Sequence, residues 1–357
     1  MQNRYGLILA GGRGTRFWPR SRRRHAKQVL SIVGERSLIQ STVDRLTPLI
    51  SPERLWVLTN EHLRDEIARQ LPEIPRRQIL AEPAQRNTAP AIGLAAQILH
   101  SIDRDAVMGV FPSDHVIAKP RRYVQFAQAA FHAAGQGKMV VLGIAPRWAE
   151  TGYGYVEFPR GTRPGSLDPA HVLKFHEKPN ARTAATYVAA KRFYWNAGMF
   201  FWRADVLLDA LRRHLPKTAT ILASLPRFSD RRFSAALRHA FPLCENISID
   251  YAVLEHTKDV VGLACDDIGW NDVGSWNAVY ELLPKDRDGN VARSLIVSAG
   301  SSGNYIDAGN KLVALLGAND LIVVDTPDAL LIAGRHRAQQ VGELVKLLEQ
   351  NKREDLL

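Results

Sequence analysis

The run Tyr5-Gly6-Leu7-Ile8-Leu9-Ala10-Gly11-Gly12-Arg13-Gly14-Thr15-Arg16 opens the chain, and a basic stretch with Arg20, Arg22, Arg23, Arg24 and Lys27 follows it. An apolar segment of buried-strand length empties into a loop with three glycines in four residues. Glycines let backbone approach a ligand closely and adopt φ > 0, so successive N–H groups can converge on one anion. The cations that follow can neutralise a polyphosphate held there. This cradle differs from the two commonest phosphate loops. A dinucleotide fingerprint needs a further glycine where Phe17 stands, and the Gly-Lys-Ser/Thr of a P-loop is absent. The competing reading is a glycine turn beside a solvated basic face.

Outward from that loop, strand-like and helix-like segments alternate. Leu7–Ala10, Leu55–Thr59, Gln78–Ala81, Ala106–Phe111 and Met139–Gly143 are short apolar runs, and Leu38–Leu46, Leu63–Leu71, Pro90–Ile102 and Tyr123–Ala134 have helical period. This order predicts an α/β fold, a Rossmann-like, mainly parallel (mixed) sheet with helices on both faces. Such sheets bind ligands at the carboxyl ends of their strands. The glycine loop, Glu82-Pro83 and Pro112-Ser113-Asp114-His115 all follow predicted strands.

Further on, Gly152–Phe158, Val172–Glu177 and Asn196–Trp202 read as strands, and Ala204–Leu225 and Arg231–Phe241 as helices. Ser248 is a candidate N-cap for a helix through Glu255. The turn-rich Pro284–Asn290 marks a boundary between residues 1–284 and a small β-rich domain of residues 285–357, closed by a helix near 338–352. Such add-on domains often mediate self-association, which leaves a homodimer open. No long-period internal repeat is evident.

The 357 residues exceed one usual core, which agrees with two domains. A net charge of +11 suits an anionic partner, yet the excess Arg pairs (76–77, 121–122, 212–213, 231–232) are scattered and no nucleic-acid-binding motif accompanies them. Cys244 and Cys265 form no metal motif and read as reduced thiols. With no leader pattern and no apolar run of membrane length, the expectation is a cytoplasmic protein with no membrane or nucleic-acid partner.

A nucleotide site needs cations for phosphates, carboxylates for a hard metal, and neutral polar groups for base and sugar. Asp114, in a Ser-Asp-His turn past a strand, and Asp272, framed by Trp270, Asn271, Gly274 and Trp276, are the leading carboxylates. Each alone could instead be a turn or capping residue. His115 reads as a supporting residue rather than a metal ligand. Asn87 and Thr88 could cap a helix or hydrogen-bond a base. Glu177-Lys178 at a strand end could be functional or a surface ion pair. Asn196, before Ala197-Gly198, can address sugar hydroxyls.

Together these pieces resemble the mannose-1-phosphate guanylyltransferases (GDP-mannose pyrophosphorylases). The resemblance rests on Gly11–Pro19 with Lys27-Gln28, Arg86–Ala91, Phe111–His115, Gly152–Tyr155, Phe175–Pro179, Trp195–Phe200 and Gly269–Trp276, in the family's order. The glycine loop alone indicates only a sugar nucleotidyltransferase; Asn87-Thr88-Ala89-Pro90 and Trp270–Trp276 narrow it to the mannose/GTP branch. The chain resembles the monofunctional form, without the cupin-like isomerase domain of longer relatives. Where the family usually has Pro before Lys-Gln, this chain has Ala26, which is expected to loosen the loop.

The resemblance implies a GT-A-like nucleotidyltransferase domain and transfer of GMP from GTP to mannose 1-phosphate, giving GDP-mannose and pyrophosphate. It implies that Gly11, Gly12, Gly14 and Thr15 with Arg16 hold the β- and γ-phosphates, and that Lys27 stabilises the leaving pyrophosphate. Asn87 and Thr88 would lie in the guanosine segment, and Asp114 and Asp272 would bind Mg2+. Gly154, Glu177 and Asn196 would contact mannose, and Lys178 its 1-phosphate. Alternatives are another sugar 1-phosphate (glucose or a heptose), another nucleotide, or a silent GDP-mannose-binding regulatory homologue. The intact Arg16, Lys27, Asp114 and Asp272 argue against the last.

Overall fold

The computed structural model describes residues 3–357. Strand β1 (Arg4–Leu9) sends Leu7 into one apolar core and Ile8 into another, both fully buried, so both faces of the sheet must be covered. Beside it lie β2 (Leu55–Asn60), β3 (Ile79–Glu82), β4 (Val107–Pro112), β5 (Met139–Ile144), β6 (Phe193–Arg203) and β7 (Val260–Cys265). They are ordered β3-β2-β1-β4-β6-β5-β7 within a ten-stranded mixed sheet. The ladders from β3 to β4 and between β5 and β7 are parallel, whereas β6 runs antiparallel to both β4 and β5.

Helices α1 (Leu38–Leu46), α2 (Arg64–Gln70), α3 (Thr88–Ile102) and α4 (Pro120–Gly135) follow the first four strands in turn. A capping box of Ser37 and Gln40 starts α1. Residues of α1, α2 and α4 pack on the Ile8 face, and α3 with the helix Ala204–His214 on the Leu7 face. The long helix expected over Ala204–Leu225 is two helices, Ala204–His214 and Pro216–Ala223, because Pro216 supplies no N–H and is best placed at a helix start. The helix expected after Ser248 is a single π-type turn, Asp250–Leu254.

The C-terminal region is β-rich and closes with the helix Val341–Gln350, as expected, but the absence of a repeat is corrected. Val291–Ala292, Tyr305–Asp307 and Leu321–Asp325 stack in parallel, with Val291 opposite Tyr305 and Tyr305 opposite Ile322; Ile296–Ala299 pairs in parallel with Val313–Leu316. This is a short parallel β-helix, so a repeat does exist. Its successive coils advance by unequal steps, 291 to 305 to 322, which hides the period. Buried asparagines bind coil to coil: Asn304 N and Nδ2 donate to Asn290 Oδ1 at 3.0 and 2.9 Å, and Leu321 N donates to Asn304 Oδ1 at 2.9 Å.

The β-helix is fused to the sheet domain. One apolar cluster holds Phe17, Trp18, Leu38 and Trp276 together with Tyr305, Ile322, Val341 and Val345. The basic stretch, expected to serve a polyphosphate, is largely spent on this junction. Arg20 pairs with Asp307 (2.5 Å), Arg22 with Asp328 (2.9 Å) and Arg23 with Glu354. Cys244 and Cys265 are buried and unbonded to each other. No helix among the described residues is long and apolar enough to cross a membrane.

Candidate active site

The glycine loop leaves the carboxyl end of β1 with its carbonyls turned into the protein. Gln28 Nε2 donates to Ala10 O (2.7 Å) and Gly12 O (3.1 Å), Thr59 Oγ1 to Ala10 O (2.9 Å), and Ser21 Oγ to Gly14 O (2.6 Å). The N–H groups of Gly11, Gly12 and Gly14 donate to no acceptor among the described residues, which suits them to an anion. Gly14 has φ 63°, and a Cβ there would lie 2.6 Å from Lys27 Cβ and 2.9 Å from Lys27 N. Only glycine fits between this loop and Lys27. Thr15–Phe17 then form one 3₁₀ turn, with Phe17 buried edge-on to Trp276.

A two-residue antiparallel pairing of Val116–Ile117 with Trp270–Asn271 draws together Asp114 and Asp272, which are far apart in the sequence. The Lys27 ammonium joins them: Nζ donates to Asp114 Oδ2 at 2.8 Å and to the Asp272 carbonyl at 2.7 Å. Burial disfavours charge on Asp114, but the Lys27 charge and hydrogen bond outweigh it and hold its carboxyl below the usual range. His115 is pushed down to about 4 by burial, and its Nδ1 accepts from Trp270 Nε1 at 3.2 Å, so it stands as a neutral supporting residue.

Asp272 Oδ1 accepts from Tyr153 OH at 2.5 Å, and Tyr153 sits edge-on to Trp195 and Trp270. Burial and the Asp272 charge push the Tyr153 phenol well up, so it stays a donor. The next residue, Val273, has φ 49°, a strained conformation for a β-branched residue, held by its N–H donating to Asn271 Oδ1 at 2.7 Å. A Cβ on Gly274 would lie 2.9 Å from Asp272 Oδ2 and 3.5 Å from Arg16 Nη1, which places Arg16 beside Asp272. Tyr153, Asp272, Gly274 and Gln339 line a cavity of about 520 Å³.

A second cavity, of about 280 Å³, runs from Gly11 and Arg13 to Glu82, Pro83 and Gln85 at the end of β3. Burial pushes the Glu82 carboxyl up to about 8, and its Oε1 is buried without a hydrogen-bond partner. Asn87 and Thr88 start α3 but do not line this cavity. Asn87, at φ 63°, accepts from Thr88 N (2.9 Å), and Thr88 Oγ1 accepts from Ile249 N (2.9 Å).

Gly154, Glu177 and Asn196 do meet. Asn196 N donates to Gly154 O at 2.8 Å, and a Cβ on Gly154 would overlap Glu177 Oε2. Asn196 Nδ2 donates to Asp250 Oδ1 at 2.7 Å. Burial and then the Glu177 charge push Asp250 up to about 6. Lys178 pairs with Glu177 at 2.8 Å and is largely solvated, so both readings of that pair from sequence have a physical basis. Sequence reasoning passed over Glu82, Tyr153 and Asp250. Tyr153 lay within a quoted motif and Glu82 at a noted strand end, but nothing in the sequence paired Asp250 with Asn196.

Comparison with known proteins agrees with this architecture. Residues 5–289 match the nucleotidyl transferase family, and residues 295–348 match the MannoseP isomerase/GMP-like beta-helix domain. The chain is 40% identical to a mannose-1-phosphate guanylyltransferase of Salmonella muenchen and 38% identical to one of Escherichia coli K12, each match covering 98% of this chain and 74% of the relative. Among solved structures, one named mannose-1-phosphate geranyltransferase from Thermus thermophilus superposes with TM-score 0.86 at 31% identity, covering 98% of this chain and 100% of that one. The chain belongs to the mannose-1-phosphate guanylyltransferase family of nucleotidyl transferases.

Proposed function

We propose that this protein transfers GMP from GTP to α-D-mannose 1-phosphate, forming GDP-mannose and pyrophosphate. The observation that carries the reading is the convergence of Lys27 on Asp114 and Asp272 beside a glycine loop whose N–H groups at Gly11, Gly12 and Gly14 have no acceptor among the described residues. The loop and Arg16 would hold the triphosphate. The cavity at Glu82 would take the base, since the adjacent ring and amino N–H groups of guanine would supply the donors that the buried Glu82 lacks and favour its ionised form on binding. The pocket of Gly154, Glu177, Asn196 and Asp250 would take the hexose, with Lys178 near its phosphate.

Oxygen donors only, at a site where Asp114 is kept ionised, fit a hard cation such as Mg2+. Among the described residues no three His, Cys, Asp or Glu side chains group as ligands, so Asp114 and Asp272 would share such an ion with substrate phosphates and water. Bound there, it would neutralise phosphate charge during transfer.

In the reaction a phosphate oxygen of the sugar phosphate attacks the α-phosphorus of GTP in line, and the bond to the bridging oxygen of pyrophosphate breaks. The monoester is already ionised near neutral pH, so no side chain need remove a proton. Two anions must meet, and the work of the protein is positioning and charge neutralisation by Arg16, Lys27 and Lys178. A pyrophosphate-release assay with GTP, mannose 1-phosphate and Mg2+, omitting each in turn and exchanging GTP for ATP, UTP or dTTP and the mannose ester for the glucose one, tests the proposal. Arg16→Ala or Asp272→Ala is expected to lower kcat by about 10²–10³; near-normal turnover contradicts these roles.

A further inference from the structure

We infer that Gln339, contributed by the β-helix domain, is a positioning residue for Arg16 and completes the phosphate site from outside the nucleotidyltransferase domain. The inference rests on the reading of Arg16 as a ligand of the GTP phosphates. Gln339 Oε1 accepts from Arg16 Nη1 at 2.6 Å, across 323 residues of sequence, and Gln339 lines the same cavity as Tyr153 and Asp272.

The contrast with the neighbouring cations is the telling feature. Arg13 meets Glu349 at 2.5 Å, Arg20 meets Asp307, Arg22 meets Asp328, Arg23 meets Glu354, and Lys27 meets Asp114. Arg16, like the exposed Arg24, has no carboxylate within 4.0 Å among the described residues, but unlike Arg24 it is met by a neutral amide. An amide oxygen fixes the direction of a guanidinium and leaves its charge available, whereas a carboxylate would compete with phosphate for the same donors.

The mount for Gln339 is rigid. Arg335, at the start of its turn, pairs with Asp320 at 2.6 Å and lies 3.8 Å from the centre of the Tyr280 ring, and Ala338 is buried. The following helix, Val341–Gln350, rests on the loop so closely that a Cβ on Gly342 would lie 3.2 Å from Thr15 Oγ1. The β-helix therefore holds Gln339 at a set distance from Arg16, so the guanidinium is ordered before the nucleotide arrives.

The test is calorimetric titration of GTP into the full chain carrying Gln339→Ala, Gln339→Glu, Arg16→Ala, and Arg16→Ala with Gln339→Ala, with thermal unfolding of each. Gln339 is exposed, so its replacement is expected to leave the melting temperature unchanged. Gln339→Ala is expected to weaken GTP binding about 5- to 10-fold, just below the range for a direct hydrogen bond to a charged group because the exposed amide acts only through Arg16, and Gln339→Glu at least as much. In the Arg16→Ala background Gln339→Ala is expected to cost nothing further. A wild-type chain that binds GTP while Gln339→Ala loses nothing, or loses equally in both backgrounds, overturns the inference alone. A wild-type chain that binds no GTP overturns the functional reading and this inference with it.

Discussion

Lys27 donates to Asp114 Oδ2 at 2.8 Å from a position almost closed to solvent, with 6% of Lys27 exposed. The same ammonium caps the Asp272 carbonyl, so one cation ties the glycine loop to both aspartate segments. Lys27→Met, which keeps the volume and removes the charge, is expected to lower kcat by about 10²–10³. It also removes the largest of the groups that oppose the burial of Asp114, so that carboxyl should rise. The wild-type Asp114 lies below its unfolded value, so its stabilisation is present above about pH 4 and is lost as pH falls through the lower folded value. In Lys27→Met the acid limb of stability should move to higher pH, which urea midpoints between pH 3 and 6 will read. An unchanged acid limb would break the assignment.

Glu82 runs the opposite way. Burial raises it to about 8, so between about pH 4.3 and 8 the folded state binds a proton that the unfolded chain has released, and stability falls as pH rises through that window. Glu82→Gln keeps the shape and removes the ionisation. It should stabilise the fold by about 1–3 kcal/mol at pH 8 and by little at pH 4, while weakening GTP relative to ATP. Thermal unfolding at both pH values, with a nucleotide competition assay, separates the two effects. An equal change at pH 4 and 8 would remove the burial argument.

The sugar pocket offers a selective steric test. A methyl group on residue 154 would overlap Glu177 Oε2 and lie 3.6 Å from Asn196 Cβ. Gly154→Ala is expected to raise KM for mannose 1-phosphate at least about 10-fold, since a 1 Å displacement in a positioning shell carries penalties of that order or more, with GTP binding unchanged. Steady-state kinetics with each substrate varied in turn decide it. A rise confined to KM for GTP would place the sugar elsewhere.

Tyr153 orients Asp272 through its hydroxyl. Tyr153→Phe keeps the ring between Trp195 and Trp270 and removes the donor. The Mn2+ affinity of the nucleotide-free protein, read by paramagnetic titration, is expected to fall about 10-fold, as for other partners of metal ligands. Unaltered affinity would dissociate Tyr153 from any metal role.

At Ala26, where the resemblance leads to an expected proline, the backbone already has angles that proline adopts. Its φ of −74° and extended ψ of 167° suit proline, and its N–H donates to no acceptor among the described residues. Ala26→Pro is expected to stabilise the protein by about 0.4–1 kcal/mol through the unfolded state, with activity retained. Loss of stability would mean that the loop around Lys27 needs a freedom that these angles do not convey.

Much of this site could be read in one dimension because its parts are local. A buried-strand run ending in Gly11-Gly12-Arg13-Gly14 predicts an anion loop wherever it folds, since backbone N–H groups and positive φ are properties of the loop itself. The order of strands and helices likewise follows from short-range periodicity. The limits show at Pro216, where a missing N–H overrode an otherwise helical pattern, and in the β-helix, whose unequal coils left no countable period.

What the chain alone determined is the set of chemical groups: glycines for close approach, cations for phosphate, aspartates for a hard ion, and a family likeness in their order. What only the tertiary structure decided is which groups face one another. Arg20, Arg22 and Arg23 look like phosphate ligands in sequence but are neutralised by the β-helix, while Arg16 is met by Gln339 and keeps its charge. Asp250 joins Asn196 across 54 positions, and Asp114 joins Asp272 through a two-residue strand pair and one buried ammonium. Electrostatic worth depends on distance and burial, and neither is a property of a residue's place in a sequence.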